Sequence, residues 1–189
     1  MLLSEPVERK HLHTRTITCE GFKRNDDLWD IEAHLTDTKT YAFENRERGG
    51  EIRAGEPVHG MRVRMTIDLD FTIHAMEAAT EYSPYRVCGA AADGMKRLVG
   101  LRIGPGWMRK VKQRIGGTSG CTHLLELLPV LATTAYQTLH FALEERENRK
   151  PSRPRPAIID TCHALASDGP VVQRQWPAFY TGGEDESGG

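Results

Sequence analysis

The sequence predicts an α+β domain, an antiparallel sheet of two hairpins followed by helices packed on one face. Three observations carry this expectation. Between about residues 14 and 80, apolar and polar residues alternate with period two. From residue 86 on, apolar residues recur every three or four positions. Polar or Gly/Pro turn signals separate the runs. Strands first and helices later is the order in which helices gather on one side of an antiparallel sheet.

Residues 1–13 show no period and are read as a loose arm. Thr14 to Phe22 alternates, the polar cluster Lys23 to Asp27 turns, and alternation resumes with Trp29, Ile31, Ala33 and Leu35 against Asp30, Glu32 and His34. Residues 44–57, charged and glycine-rich, read as an exposed loop. Met61 to Asp68, a turn at Leu69-Asp70 and Phe71 to Thr80 make the second hairpin. Its outer face would carry Arg62 and Arg64 as solvated neighbours of Glu32 and His34. Residues 86–99 suit a helix with Val87, Ala91, Met95, Leu98 and Val99 on one side. Pro105 is placed to open a short helix with Trp107, Val111 and Ile115 inward, closed by Gly116-Gly117. A last helix covers 122–149, with Pro129 expected to kink or split it. The organisation expected is an arm at 1–13, a single α+β domain over 14–150, a proline-rich linker and C-terminal docking segment over 151–180, and a disordered tail at 181–189.

The 189 residues carry a formal net charge of −1, which argues against nucleic-acid binding as a global property. No apolar run approaches the roughly 18 residues a membrane helix needs. The N-terminus lacks the apolar core and cleavage site of a secretory leader. A cytoplasmic protein with no membrane partner is expected. In a reducing compartment Cys19, Cys88, Cys121 and Cys162 are buried thiols, metal ligands or nucleophiles rather than disulfides.

The candidate metal ligands are Cys88, Cys121, His123 and His59. His59 precedes the third strand, Cys88 opens the first helix, and Cys121 and His123 open the last. A turn near residues 69 and 70 places position 59 opposite roughly position 80, at the end of the sheet from which Cys88 follows. Helix N-termini favour thiolate, which binds metals and attacks electrophiles. Two thiolates with one or two imidazoles suit Zn²⁺ or iron. Cys162-His163 offers further ligands, and Glu126 could stand behind them. The plain alternative is that the cysteines are core, as Cys19 is read from its alternation with Ile17. A weaker anion site would use Arg102, Arg109 and Lys110 around the GPGW turn. The ladder Asp30, Glu32 and His34, followed by Asp37, fits either a carboxylate–histidine site or an ordinary wet sheet face.

The segments CEGFKRNDDLWDIEAHLTDTK, EPVHGM, SPYRVC, LVGLRIGPGW and GGTSGCTHLLELLP resemble an uncharacterised bacterial domain family over Thr14 to Thr138. That resemblance implies bacterial origin and brings no activity. Residues 61–100 also resemble the core of the iron–sulfur scaffold proteins of the IscU and NifU N-domain type. This second resemblance implies an IscU-like fold, with Cys88 on the middle scaffold cysteine and Cys121 on the last. His59 falls where the first cysteine stands, so a single Zn or Fe ion, or a mixed Cys/His iron–sulfur cluster, is implied. The leading expectation is a metal-binding protein accessory to bacterial metabolism. The alternatives are a metal-dependent or cysteine-thiolate enzyme acting on a small acidic or CoA-like substrate, and a binding or structural module. A protein partner or small anionic ligand is compatible with each.

Overall fold

The alternating runs form two long hairpins because one face of each is apolar enough to be covered. In the computed structural model, which describes residues 3–149 and 154–183, β1 (His13–Lys23) pairs with β2 (Trp29–Lys39) in antiparallel register. After β2 come two three-residue strands, β3 (Phe43–Asn45) and β4 (Gly50–Ile52), which pair with each other. β5 (Pro57–Ile67) and β6 (Ile73–Tyr82) make the second hairpin, and the main sheet runs β1-β2-β5-β6. The loop expected over 44–57 is therefore corrected. Ile52 is fully buried there, and the Asn45 side chain accepts from the Arg48 backbone N–H at 2.9 Å to shape the turn.

The two sheet faces differ as the alternation demands. Trp29, Ile31, Ala33 and Leu35 of β2 and Met61, Val63, Met65 and Ile67 of β5 are buried on the inner face. On the outer face Arg64 pairs with Glu32 at 2.7 Å and Arg62 with Glu81 at 2.6 Å, all four partly exposed. Such exposed pairs contribute little, about 0–1 kcal/mol each; their role is to keep this face wet.

The expected helix over 86–99 is the second correction. The segment is a chain of short turns, 3-10 at Arg86–Gly89, α1 at Ala90–Asp93 and 3-10 again at Gly94–Leu98. Gly89 and Gly94 bracket the single α-turn, and glycine is the poorest helix former after proline. Met95 and Leu98 still reach the core. α2 (Trp107–Ile115) has the expected inward stripe of Trp107, Val111 and Ile115, and Gly106 precedes it at φ 78°. α3 (Thr122–Asn148) is continuous, so Pro129 does not split it. Its inner side carries Leu124, Leu127, Leu128, Leu131, Ala135 and Leu139, all buried.

The chain divides into two compact units, Met1–Ala142 and Leu143–Gly189. Within the described part of the second, Asp160 accepts from the Ser167 backbone N–H at 2.7 Å, and α4 (Pro170–Gln175) buries Val172. Residues 150–153, which hold the start of the expected linker, and 184–189 of the expected tail lie outside the described residues, as do residues 1 and 2 of the arm. No helix among the described residues is long and apolar enough to cross a membrane.

Candidate metal centre

Odd-numbered residues of β2 point to the core, and Asp37 keeps that phase. It is 2% exposed, a carboxylate where the pattern calls for an apolar side chain. The register then fixes its neighbours: Arg15 of β1 stands opposite it on one side and His59 of β5 on the other. The register shifts immediately beyond, between Asp37 and Thr38. Such bulges re-aim side chains at sheet ends. Arg15, Asp37 and His59 thus form one row across three strands.

α3 closes the row from above. Its first turn brings His123 over His59, with ring centroids 3.8 Å apart and planes tilted by 31°. Glu126, one turn further, pairs with Arg15. Cys121 sits just before the helix, its carbonyl accepting from the Leu125 N–H at 3.0 Å, with its Sγ 3.7 Å from His123 Nδ1.

The Asp37 carboxylate is held on both oxygens. Arg15 Nε donates to Oδ1 at 2.8 Å and Arg15 Nη2 to Oδ2 at 2.7 Å, a fork that matches carboxylate geometry. His13 Nε2 lies 3.1 Å from Oδ1, His59 Nδ1 3.0 Å from Oδ2, and His123 Nε2 3.8 Å from Oδ2. Burial pushes the Asp37 pKa up, but the hydrogen bonds and charge of Arg15, helped by His13 and His59, outweigh it and bring the pKa down to about 2. For His59, burial and then the neighbouring His123 push the pKa below the usual imidazole value against the pull of Asp37. For His123, burial and then Arg15 do the same. At neutral pH the site therefore holds an ionised carboxylate beside two neutral imidazoles. Ligand atoms of Asp37, His59 and His123 all lie within 4.8 Å of one another, wider than the roughly 3.3–3.5 Å between donors on a tetrahedral zinc, so side-chain adjustment would draw them onto one ion.

Of the expected ligands, the fold brings His59 and His123 together and sets Cys121 beside His123. Cys88 lies in the 3-10 turn Arg86–Gly89. Cys162 is exposed and His163 begins a 3-10 turn in the second unit. Among the described residues the ligand group contains no cysteine. Cys19 is half-buried near Thr134, and burial pushes its thiol pKa up. For the weaker anion site, Arg102 donates to the Asp70 carbonyl at 2.7 Å, while Arg109 and Lys110 are exposed on α2.

His13 and Arg15 are what sequence reasoning missed, and Asp37 was grouped with the outer-face ladder rather than with His59 and His123. Asp37 carried a readable signal: it follows the Asp30, Glu32, His34 ladder by an odd step, which moves it to the apolar face. His13 fell in the arm and Arg15 in an unremarked alternation.

The family model described as Protein of unknown function (DUF2889) matches residues 13–137, a span that includes every member of the cluster from His13 to Glu126. It also coincides, to one residue at each end, with the stretch that resembles an uncharacterised bacterial domain family. No curated protein and no solved structure matches the chain, so the likeness to the iron–sulfur scaffolds has no structural neighbour behind it.

Proposed function

The chain belongs to the DUF2889 family, and on that premise we propose that it is a metal-binding protein whose single divalent ion is held by Asp37, His59 and His123. The observation that carries this reading is the convergence of three donor atoms from β2, β5 and α3 within 4.8 Å. The protonation states support it. Metals take neutral imidazole and ionised carboxylate, and both histidines are shifted toward the neutral form while Asp37 is held ionised. Two imidazoles and one carboxylate suit Zn²⁺ or Fe²⁺. An iron–sulfur cluster calls for thiolates, so a single ion fits this donor set better. An ion at Oδ2 competes with Arg15 Nη2, but the guanidinium keeps its bonds to Oδ1 and to Glu126.

Three protein donors leave coordination positions for water or a substrate, and a bound ion acidifies such a water. That open coordination favours, as a second reading, a metal-dependent enzyme acting on a small molecule. Elemental analysis by plasma mass spectrometry of untagged protein purified without oxygen tests the first reading. The expected result is about one zinc or iron per chain, lost in Asp37→Asn, His59→Ala and His123→Ala. Wild-type protein without metal, and unable to take up added Zn²⁺ or Fe²⁺, would make the cluster a buried ion-pair network instead.

A further inference from the structure

His123 presents two nitrogens to two different partners. Nε2 faces Asp37 Oδ2 at 3.8 Å, and Nδ1 faces Cys121 Sγ at 3.7 Å. Cys121 and His123 are two residues apart at the start of α3, and helical backbone from Thr122 onward holds them in this relation. Of the two nitrogens, Nε2 is the one aimed at the other donors. An imidazole that binds an ion through Nε2 must carry its proton on Nδ1, and that proton needs an acceptor. Sulfur accepts hydrogen bonds at longer distances than oxygen, and Sγ is the atom beside Nδ1.

We propose that Cys121 is a positioning residue for the metal centre: it accepts the Nδ1–H of His123, fixes that tautomer and turns Nε2 toward the ion, without ligating it. This rests on the metal reading above. It also gives Cys121 a different role from that of the thiolate ligand expected from sequence. Partners that orient a ligating histidine in this way typically change metal affinity by about 10–100-fold when removed.

The test loads the full chain with Co²⁺ and compares wild type with Cys121→Ala and Cys121→Ser. The wild type should bind stoichiometrically and show ligand-field bands without a sulfur-to-cobalt charge-transfer band. Cys121→Ala should still bind, with affinity lower by about 10–100-fold. Cys121→Ser, whose hydroxyl can accept the same proton, should recover most of that loss. Nitrogen-15 spectra of the Zn²⁺-loaded wild type should show His123 protonated at Nδ1. A charge-transfer band in the wild type would make Cys121 a ligand and overturn the proposal. So would unchanged affinity in Cys121→Ala, which would leave the metal reading standing. A wild type that takes up neither Co²⁺ nor Zn²⁺ would sink both together.

Discussion

Asp37 and His59 stand directly opposite each other across β2 and β5, and His59 Nδ1 lies 3.0 Å from Asp37 Oδ2. The pairing is written into the strand register, so the site needs no loop to assemble it. Two of the three proposed donors are as rigid as the sheet. The third arrives on the first turn of a helix 27 residues long. Sites on such elements are held more precisely than sites on loops.

Removing the carboxylate should cost stability as well as metal. Asp37→Asn keeps the shape but leaves Arg15 without its main counter-charge. Because Arg15 is partly exposed and keeps Glu126, the loss should fall below the 3–5 kcal/mol typical of a fully buried broken pair, at about 1–3 kcal/mol. Urea unfolding of the metal-free protein measures this directly. An unchanged midpoint would mean that the network does not stabilise the fold.

The pH dependence should have two stages. His59 and His123 have folded pKa values below the unfolded 6.5, so their contribution is full above that pH and is lost as pH falls through the lowered values. Asp37 falls from 3.8 to about 2, so its contribution of about 2 kcal/mol is present above 3.8 and disappears as pH falls toward 2. Denaturation of metal-free wild type across this range should show both losses. The lower one should vanish in Asp37→Asn.

Arg15→Lys replaces a fork with a single point charge, which cannot bridge Asp37 and Glu126 with the same geometry. The Asp37 carboxyl should then titrate higher than about 2, as followed by carbon-13 NMR of labelled aspartate. An unmoved Asp37 titration would show that the guanidinium is not the cause of its low pKa.

Gly21→Ala should destabilise the chain by about 1–3 kcal/mol through overpacking. A Cβ there would come within 1.8 Å of Thr138 Oγ1, closer than any real contact. Thr138→Ala, which removes that oxygen, should restore part of the loss when combined with it. Thermal unfolding of the single and double variants gives the comparison.

How much of this was readable depends on distance along the chain. Period-two alternation placed both hairpins, since strand phase is local and the turns are marked by polar clusters. His59 and His123 stood out because they fall near the start of a strand and of a helix, though β5 already begins at Pro57 and so includes His59. The segment around Cys88 misled because its alanines satisfy helical spacing, while Gly89 and Gly94 limit α-helix to Ala90–Asp93. Asp37 stood out as a follower of the ladder, but its place on the inner face shows only when its parity is tracked against Trp29 and Leu35. That His123 lies over His59 is a long-range packing outcome, and nothing in the spacing between them specifies it.

The close approach at Gly21 has a consequence for the proposed metal site at the far end of α3, the helix it touches. Arg15 meets Glu126, Cys19 lies near Thr134 and Gly21 meets Thr138. Each step along the strand is matched by two along the helix, and the rises agree: about 20 Å of β1 against about 18 Å of α3. α3 is thus laid down against β1 like a ruler against an edge. The missing side chain at Gly21 sets its height at one end, and His123 inherits that height at the other. A methyl group far from any donor atom would act as a shim, tilting the ruler and shifting His123 away from Asp37 and His59 with all three proposed donors intact.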